Sequence, residues 1–115
     1  MQLAALLSVA GRHVERPLFV GFLPKKKGHQ TLLGRLRRAL EEEIADGIVL
    51  YESPERIVAL LGELLEWEMP LHVVLGRELT KKFEEILRGS AGEVRDTLAA
   101  RPGIKGEISL LVTKL

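Results

Sequence analysis

Residues 48–56, Ile-Val-Leu-Tyr-Glu-Ser-Pro-Glu-Arg, decide the fold because they join an apolar run to the start of a helix. The run 48–51 is short and uniformly apolar, which indicates an interior strand rather than an edge strand with one wet face. Ser53 followed by Pro54 is typical of a helix N-cap and a first helical residue. The segment therefore predicts an α/β unit in which a buried strand leads directly into a helix.

Similar patterns occur on both sides of this segment. Apolar runs predict further strands at 18–23, 71–75 and 108–112, and residues 82–88 alternate weakly as a strand that pairs back on 71–75. Strands joined through a helix run parallel, so we expect a mixed five-stranded sheet flanked by helices. The predicted fold class is therefore α/β with some α+β character.

Three helices are predicted between these strands. The first covers residues 29–43, the second starts at Ser53 and ends before Pro70, and the third starts at the capping box Ser90-Ala91-Gly92-Glu93. Apolar residues at helical spacing mark the faces expected to be buried. These are Leu32, Leu33, Leu36, Leu40 and Ile44; Ile57, Leu60, Leu61, Leu64 and Leu65; and Val94, Leu98 and Ala99.

Length and composition indicate one soluble domain over residues 1–115. The absence of cysteine excludes disulfides and thiolate metal sites and favours a reducing, cytoplasmic compartment. No apolar run approaches the ~18 residues needed to span a membrane. Residues 1–12 carry Leu3, Leu6, Leu7 and Ala10 on one face, and we expect them to be a helical remnant of an interdomain region.

Positive charge is concentrated in one part of the chain, although the net charge is only +1. Six of the 17 Lys and Arg residues lie between Pro24 and Arg38: Lys25, Lys26, Lys27, Arg35, Arg37 and Arg38. Such a cluster could neutralise the phosphates of a nucleic acid. The alternative is a solvated surface loop that is partly balanced by residues 41–43, all Glu.

Three other strand junctions are rich in polar groups: Tyr51-Glu52-Ser53-Pro54, Arg77-Glu78-Leu79-Thr80-Lys81 and Lys105-Gly106-Glu107. Loops at strand ends bind ligands in open α/β sheets, so these junctions are candidate site segments. Each also has a purely structural interpretation, as a capped helix, a charged hairpin turn and a tight turn. The three histidines, at 13, 29 and 72, have no spacing typical of a metal site.

The ordered set of motifs resembles one enzyme family. Gly21-Phe22-Leu23-Pro24 with its Lys-rich turn, Tyr51-Glu52-Ser53-Pro54-Glu55-Arg56, Arg77-Glu78-Leu79-Thr80-Lys81 and Gly106-Glu107 occur in its order. The family is ribosomal RNA small subunit methyltransferase I, of the tetrapyrrole methylase superfamily. The resemblance covers nearly the whole chain and is to the C-terminal half of the enzyme, which implies that this chain is less than half of a two-domain methyltransferase.

This resemblance implies both an activity and site residues. The family enzyme transfers a methyl group from S-adenosylmethionine to a cytidine 2′-hydroxyl in small-subunit ribosomal RNA, in the cytoplasm and as a homodimer. By similarity, the cofactor-binding residues would be Tyr51, Glu52, Ser53, Arg77, Gly106 and Glu107. The RNA-binding residues would be Lys25, Lys26, Lys27 and Arg35. The proton acceptor is unknown, with Glu52 as a candidate, and no metal is implied.

Two alternatives remain open at this point. One is a domain of another superfamily member that methylates a corrin or porphyrin, which would have less need of the basic turn at Lys25–Lys27. The other is a stand-alone dimerisation or binding module without activity. In either methyltransferase, we expect S-adenosylmethionine to be bound together with an N-terminal domain that has no counterpart in these residues.

Overall fold

The computed structural model describes residues 13–78 and 84–115. The elements run in the order β1 (Pro17–Phe22), α1 (His29–Glu41), β2 (Gly47–Glu52), α2 (Ile57–Leu65), β3 (Leu71–Arg77), β4 (Glu85–Ser90), α3 (Ala91–Ala99) and β5 (Ile108–Lys114). The predicted alternation of strands and helices is confirmed from β1 onward. The helix predicted near residue 1 lies outside the described residues.

The five strands form one mixed sheet in the order β1-β2-β5-β3-β4. β1 and β2 are parallel, and the other three neighbouring pairs are antiparallel. Because β2 and β3 both pair antiparallel with β5, they run in the same direction, as expected for strands joined through α2. The sequence left the strand order open, and the structure places the last strand, β5, at the centre.

The core lies between the helices and one face of the sheet. Side chains that alternate along the central strands contribute to it, as the pleat of a β-strand requires. Three leucines on α1 and an Ile and three leucines on α2 pack against them. The buried members include Leu33, Leu36, Leu40, Ile48, Leu50, Ile57, Leu60, Leu61, Leu64, Val73, Leu75, Val94, Leu98, Leu110 and Val112.

The start of α2 differs from the prediction. Ser53 is not its N-cap, because α2 begins at Ile57 with Arg56 as the N-cap residue. Residues 54–56 instead form a separate turn, which the N–H of Arg56 closes by donating to the carbonyl of Ser53 over 3.1 Å. The Ser53 side chain makes no hydrogen bond to the described residues.

Some predicted boundaries and faces are also wrong. α1 ends at Glu41, and Glu43 has a positive φ of 59°, which turns the chain so that Ile44 is exposed. Leu65, at the end of α2, and Ala99, at the end of α3, also face outward. β4 begins at Glu85 and continues to Ser90, while residues 79–83 lie outside the described ranges.

The capping box that starts α3 is confirmed. The Ser90 hydroxyl accepts a hydrogen bond from the N–H of Glu93, and the Glu93 carboxylate accepts one from the N–H of Ser90. In the described part of the chain, no helix is long and apolar enough to cross a membrane.

Candidate functional site

The polar strand junctions meet at one edge of the sheet. β1, β2 and β3 all end there, and the antiparallel β5 begins there. The pairing shows how close they come, because Ile108 lies opposite Glu52 on one side and opposite Arg77 on the other. Phe22 pairs with Tyr51 in the same region. Short stretches far apart in sequence are thereby brought together at the edge where α/β sheets bind ligands.

A cavity of about 490 Å³ opens at this edge. We call it the aromatic cavity, and its lining consists of Phe22, Tyr51, Glu52, Ser53, Pro54, Glu78, Gly106, Glu107 and Ile108. Five of the six residues that the resemblance assigned to the cofactor therefore border one cavity. The sixth, Arg77, borders a neighbouring cavity instead.

Two exposed rings flank Tyr51 near this cavity. The ring centroids of Phe19 and Phe22 each lie 5.5 Å from that of Tyr51, in edge-on geometry that aromatic pairs favour. Phe22 is 65% exposed, although it is the last residue of β1 and is strongly apolar. An exposed ring at the mouth of a cavity is available to contact an apolar or planar ligand.

Glu52 is the buried carboxylate of the aromatic cavity, only 5% exposed. Its Oε1 accepts hydrogen bonds from the N–H of Ser53 at 2.7 Å and from Nε of Arg56 at 3.1 Å. Nη2 of Arg56 lies 3.0 Å from the same oxygen. A buried carboxylate needs such partners, because an unpaired charge inside a protein is very costly. These contacts all use Oε1 and fix the orientation of the carboxylate.

Gly106 forms the floor of the aromatic cavity where two chain segments cross. Its φ is +95°, and a Cβ atom there would overlap the side chain of Glu78. Glu78 itself has a positive φ of 54°, and its N–H donates to the carbonyl of Glu107 over 2.9 Å. Glycine is therefore required at position 106 by both backbone conformation and space.

A second cavity, of about 450 Å³, lies on the other side of residue 106. We call it the cationic cavity, and it is lined by Arg77, Arg101, Pro102, Gly103, Ile104 and Lys105. Beside it, the Glu85 carboxylate accepts two hydrogen bonds from Arg101, of 2.8 and 2.6 Å, and a third from Nε of Arg77, of 3.1 Å. The hydrogen bonds from Arg101, and then those from Arg77, lower the pKa of Glu85 to about 2.

The basic turn at Lys25–Lys27 is exposed, and His29 anchors it to the rest of the fold. In the described part of the chain, none of its three lysines, nor Arg35, forms an ion pair, whereas Arg37 pairs with Glu41 over 3.5 Å. Residues 41–43 therefore balance little of this charge.

His29 anchors that turn through hydrogen bonds of both ring nitrogens. Its Nδ1 lies 2.7 Å from the carbonyl oxygen of Pro24, and its Nε2 lies 2.9 Å from Oε1 of Glu63. The hydrogen bond with Glu63, and then the one with the Pro24 carbonyl, raise the pKa of His29. Both acceptors are satisfied at once only by the protonated ring, so a charged His29 ties the turn to α2.

Sequence reasoning missed several residues of this region. Phe22 belongs to the motif Gly21-Phe22-Leu23-Pro24 but was not predicted as a site residue. Its position at the end of a strand could have indicated an exposed aromatic ring. Glu78 was also quoted, but only the structure shows that it packs on Gly106. Arg101 and Glu85 carried no local signal, since 16 residues separate them and α3 lies between them in the sequence.

Comparisons with known proteins give a consistent result. No protein-family model matches the chain. Curated relatives named ribosomal RNA small subunit methyltransferase I do match. The one from Neisseria meningitidis serogroup A is 38% identical over 96 residues, covering 84% of this chain and 32% of the relative. The one from Thermotoga maritima is 32% identical over 111 residues, covering 96% of this chain and 47% of the relative. The chain thus spans about a third to a half of the length of these relatives.

Solved structures share the fold at low sequence identity. The methyltransferase CobJ superposes with a TM-score of 0.66 at 18% identity, over 97% of this chain and 47% of that chain. The cobalt precorrin-4 methyltransferase CbiF gives 0.65 at 16% identity, over 96% and 48%. These similarities confirm the predicted fold class. Over most of its length, this chain is therefore related in sequence to proteins named ribosomal RNA small subunit methyltransferase I, and it has the fold of the solved methyltransferases CobJ and CbiF.

Proposed function

We propose that this chain is the C-terminal domain of an S-adenosylmethionine-dependent ribosomal RNA 2′-O-methyltransferase. The observation that carries the proposal is the convergence of Tyr51, Glu52, Ser53, Gly106 and Glu107 on one cavity. These residues come from two segments more than 50 residues apart in the sequence, and both segments belong to the motifs of the resemblance. Relatives that match most of this chain are named ribosomal RNA small subunit methyltransferase I.

In this proposal, the aromatic cavity forms one wall of the S-adenosylmethionine site. Phe22 and Tyr51 offer ring faces and edges for the adenine, and Oε2 of Glu52 is directed to ligand hydroxyls, since Oε1 is occupied. A related fold, uroporphyrin-III C-methyltransferase from Thermus thermophilus, was solved with S-adenosyl homocysteine. The rest of the cofactor would contact the additional length that the relatives have. Methyl transfer between two held reactants depends chiefly on their positioning.

Glu52 is a positioning residue in this proposal rather than the proton acceptor. Its carboxylate is buried and is held by an amide and a guanidinium, which suits the orientation of a ligand. The proton of the ribose hydroxyl still needs an acceptor in the transition state. We propose that this proton acceptor is not one of the residues described for the aromatic cavity.

The RNA substrate is supported by the basic turn. Lys25, Lys26 and Lys27 project from the same edge of the sheet as the aromatic cavity and are exposed. Nucleic-acid phosphates are the ligands that such a group of unpaired ammonium groups recognises. A corrin or porphyrin substrate, as in the fold neighbours, would leave this turn without a function. A cytoplasmic location and a homodimer are parts of the same proposal.

Calorimetry with S-adenosylmethionine tests the cofactor site. It should be run on the 115-residue chain and on the complete gene product that contains it. If the gene product is longer than these 115 residues, we expect clear binding by the complete product and at least tenfold weaker binding by the 115-residue chain. Substitution Glu52→Gln in the complete product should weaken binding and lower methyl transfer, while Glu55→Gln, an exposed neighbour, should change neither. Full affinity and activity in Glu52→Gln would remove Glu52 from the site.

Salt-dependent RNA binding tests the substrate. Replacing Lys25, Lys26 and Lys27 by Glu should weaken association with small ribosomal subunits and flatten its dependence on salt concentration, because phosphate contacts release counterions. The matched control reverses charge at Arg16, Arg95 and Lys114, which lie outside the basic cluster, and should keep the wild-type salt slope. An unchanged salt slope in the Lys variant would contradict the RNA function of the turn.

A further inference from the structure

The cationic cavity has no function in the proposal above. It adjoins the aromatic cavity through the Lys105–Gly106 segment, which borders both. Among the described residues, its lining includes three cationic side chains and no Asp or Glu. Glu85 contacts two of these cations without lining the cavity, so the surface keeps a surplus of positive charge.

The two guanidinium groups are held in place by neighbours, not free in solvent. Arg101 follows α3 directly, and its N–H donates to the carbonyl of Leu98 over 3.1 Å. Arg77 donates from Nη1 to the carbonyl oxygen of Lys105 over 2.9 Å and from Nε to Glu85. Glu85 thus fixes both groups, so that a ligand would bind them with little loss of side-chain freedom.

Donors remain available on both groups. The contacts with Glu85 and Lys105 use Nε and Nη1 of Arg77 and both terminal nitrogens of Arg101. Within the described residues, Nη2 of Arg77 and Nε of Arg101 make no hydrogen bond, and the exposed ammonium of Lys105 lies at the rim. Planar guanidinium donors beside an ammonium group suit a tetrahedral oxyanion such as a phosphodiester.

We propose that Arg77, Arg101 and Lys105 form a binding site for one phosphodiester of the RNA strand. This inference rests on the proposed function and adds a substrate contact to it. The ribose carbon next to the one with the reacting 2′-hydroxyl carries the 3′-phosphate. A 2′-oxygen brought to the aromatic cavity therefore brings a phosphate into its immediate surroundings, where the cationic cavity lies. The alternative ligand, the carboxylate of the cofactor, is an outcome of the test.

The test measures the affinity for a single-stranded RNA oligonucleotide as a function of salt concentration. Variants Arg101→Gln and Lys105→Gln should each lower the affinity about three- to tenfold at low salt. Each should also reduce the slope of log K against log salt by about 0.7, the value for one phosphate contact in single-stranded RNA. Arg95→Gln, an equal loss of charge on α3 whose described partner is Asp96, should keep the wild-type slope.

The outcomes separate this inference from the proposed function. Lys105→Gln removes a side chain that makes no ion pair with the described residues, so a wild-type melting temperature will show that its effect is not misfolding. Wild-type slopes in both variants, with RNA still bound, would overturn the phosphate site alone. A loss of S-adenosylmethionine affinity with an unchanged RNA slope would assign the cations to the cofactor and also overturn it. Failure of the unmodified chain to bind RNA would overturn both proposals.

Discussion

The two neighbouring cavities hold their carboxylates in opposite ways. Glu52, in the aromatic cavity, is almost fully buried and has one guanidinium partner on the adjacent turn. Glu85, beside the cationic cavity, is more accessible but lies between two guanidinium groups from different parts of the chain. The aromatic cavity presents apolar rings and carboxylate acceptors, and the cationic cavity presents donors. The difference indicates that one strip of sheet edge can bind two chemically different parts of a substrate complex.

The largest expected effect comes from the residue that separates the cavities. Gly106→Ala should lower the free energy of unfolding by about 2–3 kcal/mol, because alanine is strained at φ +95° and its Cβ displaces Glu78. Urea denaturation measures this change. Gly103→Ala is the matched control, since a Cβ there meets no atom within 4 Å and the backbone is not in the left-handed region. Equal stability of the two variants would contradict the described crossing of the segments.

Acid should distinguish the two carboxylates. The pKa of Glu85 is depressed from 4.5 to about 2, so its stabilisation is complete above pH 4.5 and is lost as the pH falls towards 2. Glu85→Gln should cost about 2 kcal/mol at neutral pH after allowance for solvent screening. It should also reduce the loss of stability between pH 4.5 and 2. Urea denaturation at several pH values checks this, with Glu55→Gln as the control. If the stability of Glu85→Gln depended on pH in the same way as that of the wild type, the ion pairs of Glu85 with Arg77 and Arg101 would be contradicted.

A smaller effect is expected from Glu52→Gln, about 1 kcal/mol in the free energy of unfolding. The amide oxygen can still accept from Ser53 and Arg56, so only the charge-assisted part of those bonds is lost. Arg56 is partly exposed and regains water, which limits the cost. A loss above about 3 kcal/mol, measured by the same denaturation, would show that Glu52 is a main structural support and not chiefly a ligand contact.

The smallest expected effect is at His29. Its pKa is raised above 6.5 in the folded state, so its ion pair with Glu63 stabilises the fold below pH 6.5 and is lost as the pH rises through the folded value. His29→Gln should remove this dependence at a cost of about 0.5–1 kcal/mol, typical of a partly exposed pair. Nuclear magnetic resonance titration of the ring measures the pKa directly. A measured value at or below 6.5 would contradict the ion pair between His29 and Glu63.

Local sequence signals determined much of the architecture. The uniformly apolar residues 48–51 did form an interior strand, and the Ser90 capping box did start a helix. The Ser53-Pro54 signal failed, because Glu52 takes up the N–H of Ser53 and the chain completes a separate turn before the helix begins. Positions at helix ends, such as Ile44, were misjudged since periodicity does not report where a helix stops.

The candidate site was only partly accessible to sequence reasoning. Motifs at strand ends led to Tyr51 and Glu52, because parallel strands bring their ends together. Gly106 joins them because the antiparallel β5 begins at the same edge. That Arg77 faces a different cavity depends on its direct pairing with Glu85 across β3 and β4. Such a contact follows from strand register, and the weak alternation of residues 82–88 did not determine that register. The contribution of Arg101 depended on the return of the chain through α3, which brings Arg101 back to Glu85 at the start of β4.

The central position of β5 has a consequence for how the chain is made. β2 and β3 emerge from the ribosome with unpaired edges facing each other, and the strand that fills the gap is the last of the described elements. The sheet can close only when residues 108–114 are released from the exit tunnel. Removal of this strand would leave two open apolar edges, which favour association between chains. The hydrophobic core therefore cannot be completed before β5 has been synthesised.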